Sequence, residues 1–319
     1  MRRLTVPMPF HTPFYALLPA GVALGHFAEE GLDVTVVPAS RYPRGTMQAL
    51  LAGELEICLG GLMRSFELAD REGIPVVHFA EVCSRNAFFL LSRRPESGFR
   101  FAHLIGKTVL GFLEAPTPWQ CLLTVLRRHA VDPARVRIER HRPMADAAAA
   151  FRDGEGDFLE TTQPIVETLL REGAAHIAAS MGEATGALPF TSYMAAPALL
   201  AREPETVLHF TRAVYRTQRW LAGRAAGEIA TVVAPEYSEV SPPVLEAAIA
   251  RYQRQDTWAH DPLLRRSGYD VLQHILLSGG FIRGYHRYAD LVDTAFATQA
   301  MAPCRRSLRS ISAPGGPPG

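Results

Sequence analysis

Lysine is almost missing from this chain: Lys107 is the only one among 33 basic residues, and the rest are arginine. A Schiff-base mechanism therefore has a single candidate residue. A GC-rich coding sequence explains the bias blandly, and arginine's planar fork, which suits oxyanions, explains it functionally. Cysteine is scarce too. Cys58, Cys83, Cys121 and Cys304 show no CxxC and no short paired spacing, which excludes a disulfide framework and a zinc knuckle. The first three lie in apolar patterns and read as buried thiols. Excess charge of one sign is absent, with 33 basic against 32 acidic residues and a net charge of +1, so nothing drives the chain toward nucleic acid or anionic lipid. No apolar run approaches the roughly 20 residues that span a bilayer. There is no GxSxG, HExxH, GxxxxGK[ST] or glycine-rich dinucleotide loop.

What is present is a repeated αβ word. Leu17, Ala20, Gly21, Leu24 and Phe27 fall at the three-and-four spacing of one helix face, predicting a helix over Phe14–Glu30. Gly31 then stands where a helix end wants a residue without Cβ, and Val34–Pro38 reads as a strand. A second helix from Thr46 stops at Gly53, before a strand at Ile57–Gly60. Residues 1 to about 92 alternate β and α, which predicts a mostly parallel sheet with right-handed crossovers. The alternation restarts at His103-Leu104-Ile105-Gly106-Lys107, and after Ala196 the chain reads as helical.

The order of these words, "EEGLDV", "ALLAGELEI", "HLIGKTVLGF" and the closing "GGFIRGYHRYADLVDTAFATQA", resembles solute-binding proteins of ABC transporters, of the sulfonate, nitrate, taurine and thiamine-precursor type. The resemblance implies an α/β, two-lobe periplasmic-binding-protein fold of type II. Each lobe would be a mostly parallel sheet flanked by helices, and two crossings near Arg93–Gly98 and Thr191–Ala196 would join them. Lobe 1 would be 1–93 plus 195–305, lobe 2 would be 94–194, and 306–319 a disordered tail. It further implies a receptor that closes on a small molecule and delivers it to ABC permease subunits, as a monomer, with no cofactor and no nucleic-acid partner. Leu4–Phe10 is too short and proline-broken for a signal h-region. A periplasmic or exported location therefore requires a leader removed before this numbering, and a true start at Met1 implies the cytoplasm. The alternative is a cytoplasmic enzyme of the same fold, desulfinase-like or thiamine-pyrimidine-synthase-like, acting on an aromatic or pyrimidine-like substrate. Against it, the first cleft loop carries His11 where the desulfinases use a cysteine, and Lys107 stands at a strand start.

Ligands of open α/β sheets sit outside the carboxyl ends of the strands, near helix N-termini. The loops expected there supply the candidate ligand-binding residues. Phe10 and Tyr15 offer aromatic faces, and His11 and Thr12 offer hydrogen bonds. Arg41, Tyr42 and Arg44 precede a helix and suit an acid. Gly60 and Gly61 permit close backbone approach. In the second lobe Glu114, Thr117 and Trp119 open a helix after one strand, Glu160 and Thr161 follow another, and Tyr193 lies near the return crossing. For each residue alone a structural role competes; the convergence of the loops carries the expectation.

Overall fold

The computed structural model describes residues 1–303, and the expected tail and Cys304 lie outside the described residues. Among the described residues, ten strands form three sheets. β1 (Arg2–Met8) and β2 (Leu32–Pro38) pair in parallel, register Leu4 to Val34. β3 (Cys58–Gly60) and β4 (Val77–Cys83) flank β10 (Thr191–Ala195), which runs antiparallel to both. β1 packs beside β3, so these two sheets form the framework of one lobe. The other lobe is a five-stranded sheet in the order β7-β6-β8-β5-β9. It contains β5 (Phe89–Ser92), β6 (Thr108–Leu110), β7 (Arg137–Glu139), β8 (Phe158–Thr161) and β9 (His176–Ser180).

β5 and β10 each run opposite to all the other strands of their sheet, and both follow a passage from the other sheet. A strand preceded by its own crossover helix comes back parallel, whereas one entering from outside the sheet has no such constraint. The passages lie at 84–88 and 181–190, which corrects the expected positions. Phe89–Ser92 belongs to the five-stranded sheet rather than to the end of lobe 1, and Thr191–Ala195 is a strand of the first lobe rather than a crossing. Phe88-Phe89-Leu90-Leu91 is apolar on both faces, so its pattern suits a buried strand of either sheet; only its pairing partners decide.

The expected helix over Phe14–Glu30 is divided. A 3-10 turn at Pro13–Tyr15 leads into Leu17–Ala23, and a second segment, His26–Glu29, starts after Gly25. Gly25 has φ +74, a left-handed value that stops the first helix. Gly31 has φ +77, as its position before β2 demands. Helix Met63–Glu72 ends at Gly73, whose φ of +69 is again left-handed.

The C-terminal helices bind the lobes together. Pro204–Ala222 packs on both segments of the first helix and on β4. Pro242–Gln255 touches the Pro13–Tyr15 turn of one lobe and helix Ile165–Arg171 of the other. Its buried Tyr252 spends its hydrogen bonds across that junction. Thr162 Oγ1 donates to the Ala87 carbonyl at 3.0 Å, which leaves the Tyr252 hydroxyl to donate to Thr162 at 2.6 Å and accept from the Gln163 amide at 3.1 Å. Gln255 donates to the Asn86 carbonyl at 2.7 Å and accepts from Ser180 Oγ at 2.7 Å, tying the starts of both passages to one helix end.

Tyr252→Phe removes a hydroxyl that serves two buried partners and leaves the Gln163 amide without an acceptor. We expect a loss of about 1–3 kcal/mol of unfolding free energy in urea at unchanged m-value; a loss below the error of the titration would remove the junction from its place in the stability argument.

Candidate functional site

A cavity of about 670 Å³ opens between the lobes at the carboxyl ends of their strands. The loop after β1 supplies Pro9 and Phe10, and the turn that follows adds Phe14 and Tyr15. Gly45, Thr46 and Met47 come from the start of helix Thr46–Leu51, and Gly60, Gly61 and Met63 from the turn between β3 and the next helix. The second lobe contributes Glu114, Ala115, Thr117 and Pro118 at the start of helix Pro116–Arg128. Phe88, Phe190 and Thr191, from the two passages, complete the wall. Helix Met63–Glu72 and helix Pro116–Arg128 both present their first turns to this space, where amides have no intrahelical acceptor and the dipole favours negative charge.

Six of the candidate residues border the cavity: Phe10, Tyr15, Gly60, Gly61, Glu114 and Thr117. The remainder have other surroundings. His11 Nε2 lies 2.7 Å from the Glu236 carbonyl and Nδ1 lies 2.8 Å from Glu239 Oε1, with the ring 5.1 Å from that of Tyr237. Thr12 is buried and donates to the Gln163 carbonyl at 2.6 Å, an inter-lobe bond. The loop of Arg41, Tyr42 and Arg44 reaches the cavity through Gly45 and Thr46, but its own long side chains do not line it. Arg44 pairs with Glu54 at 2.6 Å, Arg41 is exposed, and Tyr42 packs on the small cluster around Leu50 and Leu55. Trp119 lies under the Arg140 guanidinium, 4.0 Å from ring centre to Cζ.

Glu160 and Thr161 are buried in β8, with Glu160 Oε1 and Thr161 Oγ1 unpartnered. Burial pushes the Glu160 carboxyl up to about 8, opposed by the Arg140 charge. Tyr193 is buried edge-on against Phe210, at 4.8 Å between centroids. Met47, Glu67, Arg71, Phe88 and Met194 line the cavity from outside the loops expected there. One signal could have found part of this set. Met63, Arg64, Glu67, Leu68, Arg71 and Glu72 follow the spacing of a single helix face, and that face is the one turned to the cavity. Its charges are linked, with Glu67 2.9 Å from Arg71 Nη1 and 3.3 Å from Arg64 Nη1.

Nucleophiles near the site are held in their neutral forms. Cys58 rather than Cys121 is the thiol in the wall; it is 1% exposed, and burial pushes it up to about 12. Cys121 is fully buried and also pushed up to about 12, by burial and by the Glu160 charge. Neither provides a thiolate near neutral pH. A Ser65–His78–Ser192 chain, with hydrogen bonds of 2.7 and 2.6 Å, is fully buried behind the wall, and desolvation lowers His78 to about 3. Lys107 lies at the start of β6, 3.5 Å from Asp157.

The profile of the NMT1/THI5-like family matches residues 9–224 of this chain. YtlA of Bacillus subtilis (strain 168), named as a binding protein, is 32% identical over 289 residues, which cover 90% of this chain and 86% of YtlA. Among solved structures, the alkanesulfonate-binding protein SsuA from Xanthomonas axonopodis pv. citri, bound to MOPS, superposes with a TM-score of 0.73 at 18% identity, covering 92% of this chain and 99% of SsuA. The desulfurization enzyme DSZB superposes with a TM-score of 0.68 at 15% identity, covering 94% and 99% of the two chains. These two likenesses establish the two-lobe periplasmic-binding-protein fold.

Two outcomes follow from the buried groups. Iodoacetamide at pH 8 leaves Cys58, Cys83 and Cys121 of the folded protein unmodified by peptide mapping, since burial holds all three thiols near 12; rapid labelling of Cys58 would return the wall thiol to the list of nucleophiles. The carboxyl of Glu160 rises from the usual 4.5 to about 8 on folding, so its stabilising protonated form is fully present below 4.5 and is lost as pH climbs toward 8. Glu160→Gln therefore gains stability relative to the native protein between pH 5 and 8, by up to about 1.4 kcal/mol per pH unit. A constant difference across that window contradicts the assignment.

Proposed function

Because the chain belongs to the NMT1/THI5-like family, we propose that it is a solute-binding receptor whose cleft takes a small planar organic acid and delivers it to an ABC permease. The location that goes with this role is the periplasm, or outside the membrane of a cell without one. The observation that carries the reading is the composition of one continuous wall. Phe10, Phe14, Tyr15, Phe88 and Phe190 supply apolar and aromatic surface, while two helix N-termini and the Thr117 hydroxyl supply donors on the same cavity. An aromatic ring gains from burial among those side chains. A carboxylate or sulfonate gains from the first-turn amides at Met63 and Thr117 and from Arg64, one residue into its helix. Arg64 rather than Arg41 or Arg44 is the arginine placed for this role, and its contact with the Glu114 carbonyl, at 3.5 Å, already spans the two lobes.

The enzyme alternative asks for an activated nucleophile in the wall. The thiol present there, Cys58, is held protonated by burial, which favours capture over turnover. Closure of the lobes on the solute would complete the cavity from both sides, as in other hinge-closing receptors.

A thermal-shift screen of aromatic carboxylates and sulfonates tests the reading, since a ligand at 100 times its dissociation constant adds about 2.7 kcal/mol of stability. For the best ligand, Arg64→Ala weakens binding by about 1.5–3 kcal/mol, the range of a charge-assisted hydrogen bond, and Arg44→Ala leaves it unchanged. A screen with no stabilising acid, or full affinity in Arg64→Ala, would sink the acid-binding assignment.

A further inference from the structure

Resting on the receptor reading, we propose that Glu114 determines specificity for a solute that carries an N–H donor as well as its acid group. Glu114 stands in the cavity wall, and only one of its carboxylate oxygens has a structural task. Oε1 accepts from the Met144 amide at 2.9 Å and so caps helix Met144–Arg152 from outside. Oε2 is buried without a partner. Capping explains the first oxygen and leaves the second without a donor.

The cations nearby do not fill that vacancy. Arg64 donates to Glu67 at 3.3 Å and to the main-chain carbonyl of Glu114 at 3.5 Å, not to its carboxylate. Arg71 is engaged with the other oxygen of Glu67 at 2.9 Å. Glu67 thus has a cation on each oxygen, whereas Glu114 has a lone oxygen in the same wall. A second polar group repeats the pattern. Thr191 is 2% exposed, borders the cavity from the opposite lobe, and its hydroxyl has no partner. A buried carboxylate oxygen is costly to leave unpaired, and an ammonium or ring N–H from the solute satisfies it. The wall then reads an amphoteric molecule, with the acid at the helix N-termini and the donor at Glu114. Sites built around a polar partner discriminate strongly against analogues that lack it.

Isothermal titration of the intact protein with matched probes tests this: benzoate against para-(aminomethyl)benzoate, and benzenesulfonate against para-(aminomethyl)benzenesulfonate. The aminated member of each pair is expected to bind about tenfold tighter or more. In Glu114→Gln the preference should fall to near unity, because the amide can still accept from Met144 but turns a donor toward the solute. Equal affinities within both pairs in the native protein would overturn the proposal while leaving an acid receptor intact, and so would a preference that survives Glu114→Gln. If no member of either pair binds, the acid-receptor reading fails and this inference fails with it. The native ratio decides the matter even where the variant does not fold.

Discussion

The molecule depends on a small set of hydrogen bonds where its two lobes exchange chain. The two passages pair part of their main chain with each other, Met181 donating to the Phe88 carbonyl, Leu188 to that of Ser84 and Phe190 to that of Cys83, and any group left a buried orphan costs about 1–3 kcal/mol. The end of helix Pro242–Gln255 and the segment after it add bonds on both sides. Tyr252 serves Thr162 and Gln163 in the second lobe, Gln255 serves Asn86 and Ser180 at the starts of the two passages, and Trp258 donates to the Phe14 carbonyl of the first lobe at 2.9 Å. With those bonds made, β5 and β10 can enter their sheets against the local strand direction without stranding polar groups at the point of entry.

The site follows from the same constraint. Because the passages run between the lobes, Phe88, Phe190 and Thr191 become part of the cavity wall, and the strand ends of both sheets face each other across it. Helices Met63–Glu72 and Pro116–Arg128 start at the cavity edge, which brings the first turns at Met63 and Thr117 together from separate lobes. The first-lobe loops add aromatic surface. Charge in the wall is largely committed internally, through the Arg64–Glu67–Arg71 ladder. An incoming solute therefore meets free amides, hydroxyls and aromatic faces more than free charges. That balance suits tight but reversible capture, in which burial supplies affinity and a few directed bonds supply orientation.

The buried ionisable groups bear on the same distinction between binding and chemistry. Cys58, Cys121, Glu81 and Glu160 are all shifted toward their neutral forms, with desolvation the largest cause in each. A nucleophile or base needs a neighbour that stabilises its charged form. Here the surroundings do the opposite, and the polar groups serve packing, capping and the junction.

Much of the architecture was legible in the sequence because it depends on local order. The period of the apolar residues, the glycine at Gly31 and the restart of the αβ pattern at His103 point to the alternating elements and to a second α/β unit; the family resemblance adds the two-lobe class, and together they locate the strand ends whose loops carry Phe10, Tyr15, Gly61, Glu114 and Thr117. What depends on contacts distant in the chain was decided by tertiary structure alone. An apolar run such as Phe88–Leu91 specifies burial but not a partner, so the passages fell at 84–88 and 181–190 rather than where the pattern placed them. Arg44 looks the same in sequence whether it meets a ligand or Glu54, and Arg64 looks like an ordinary surface charge until its helix face is turned inward. Periodicity records which side of an element is apolar; which elements it meets is set by long-range packing, and no residue carries that information by itself.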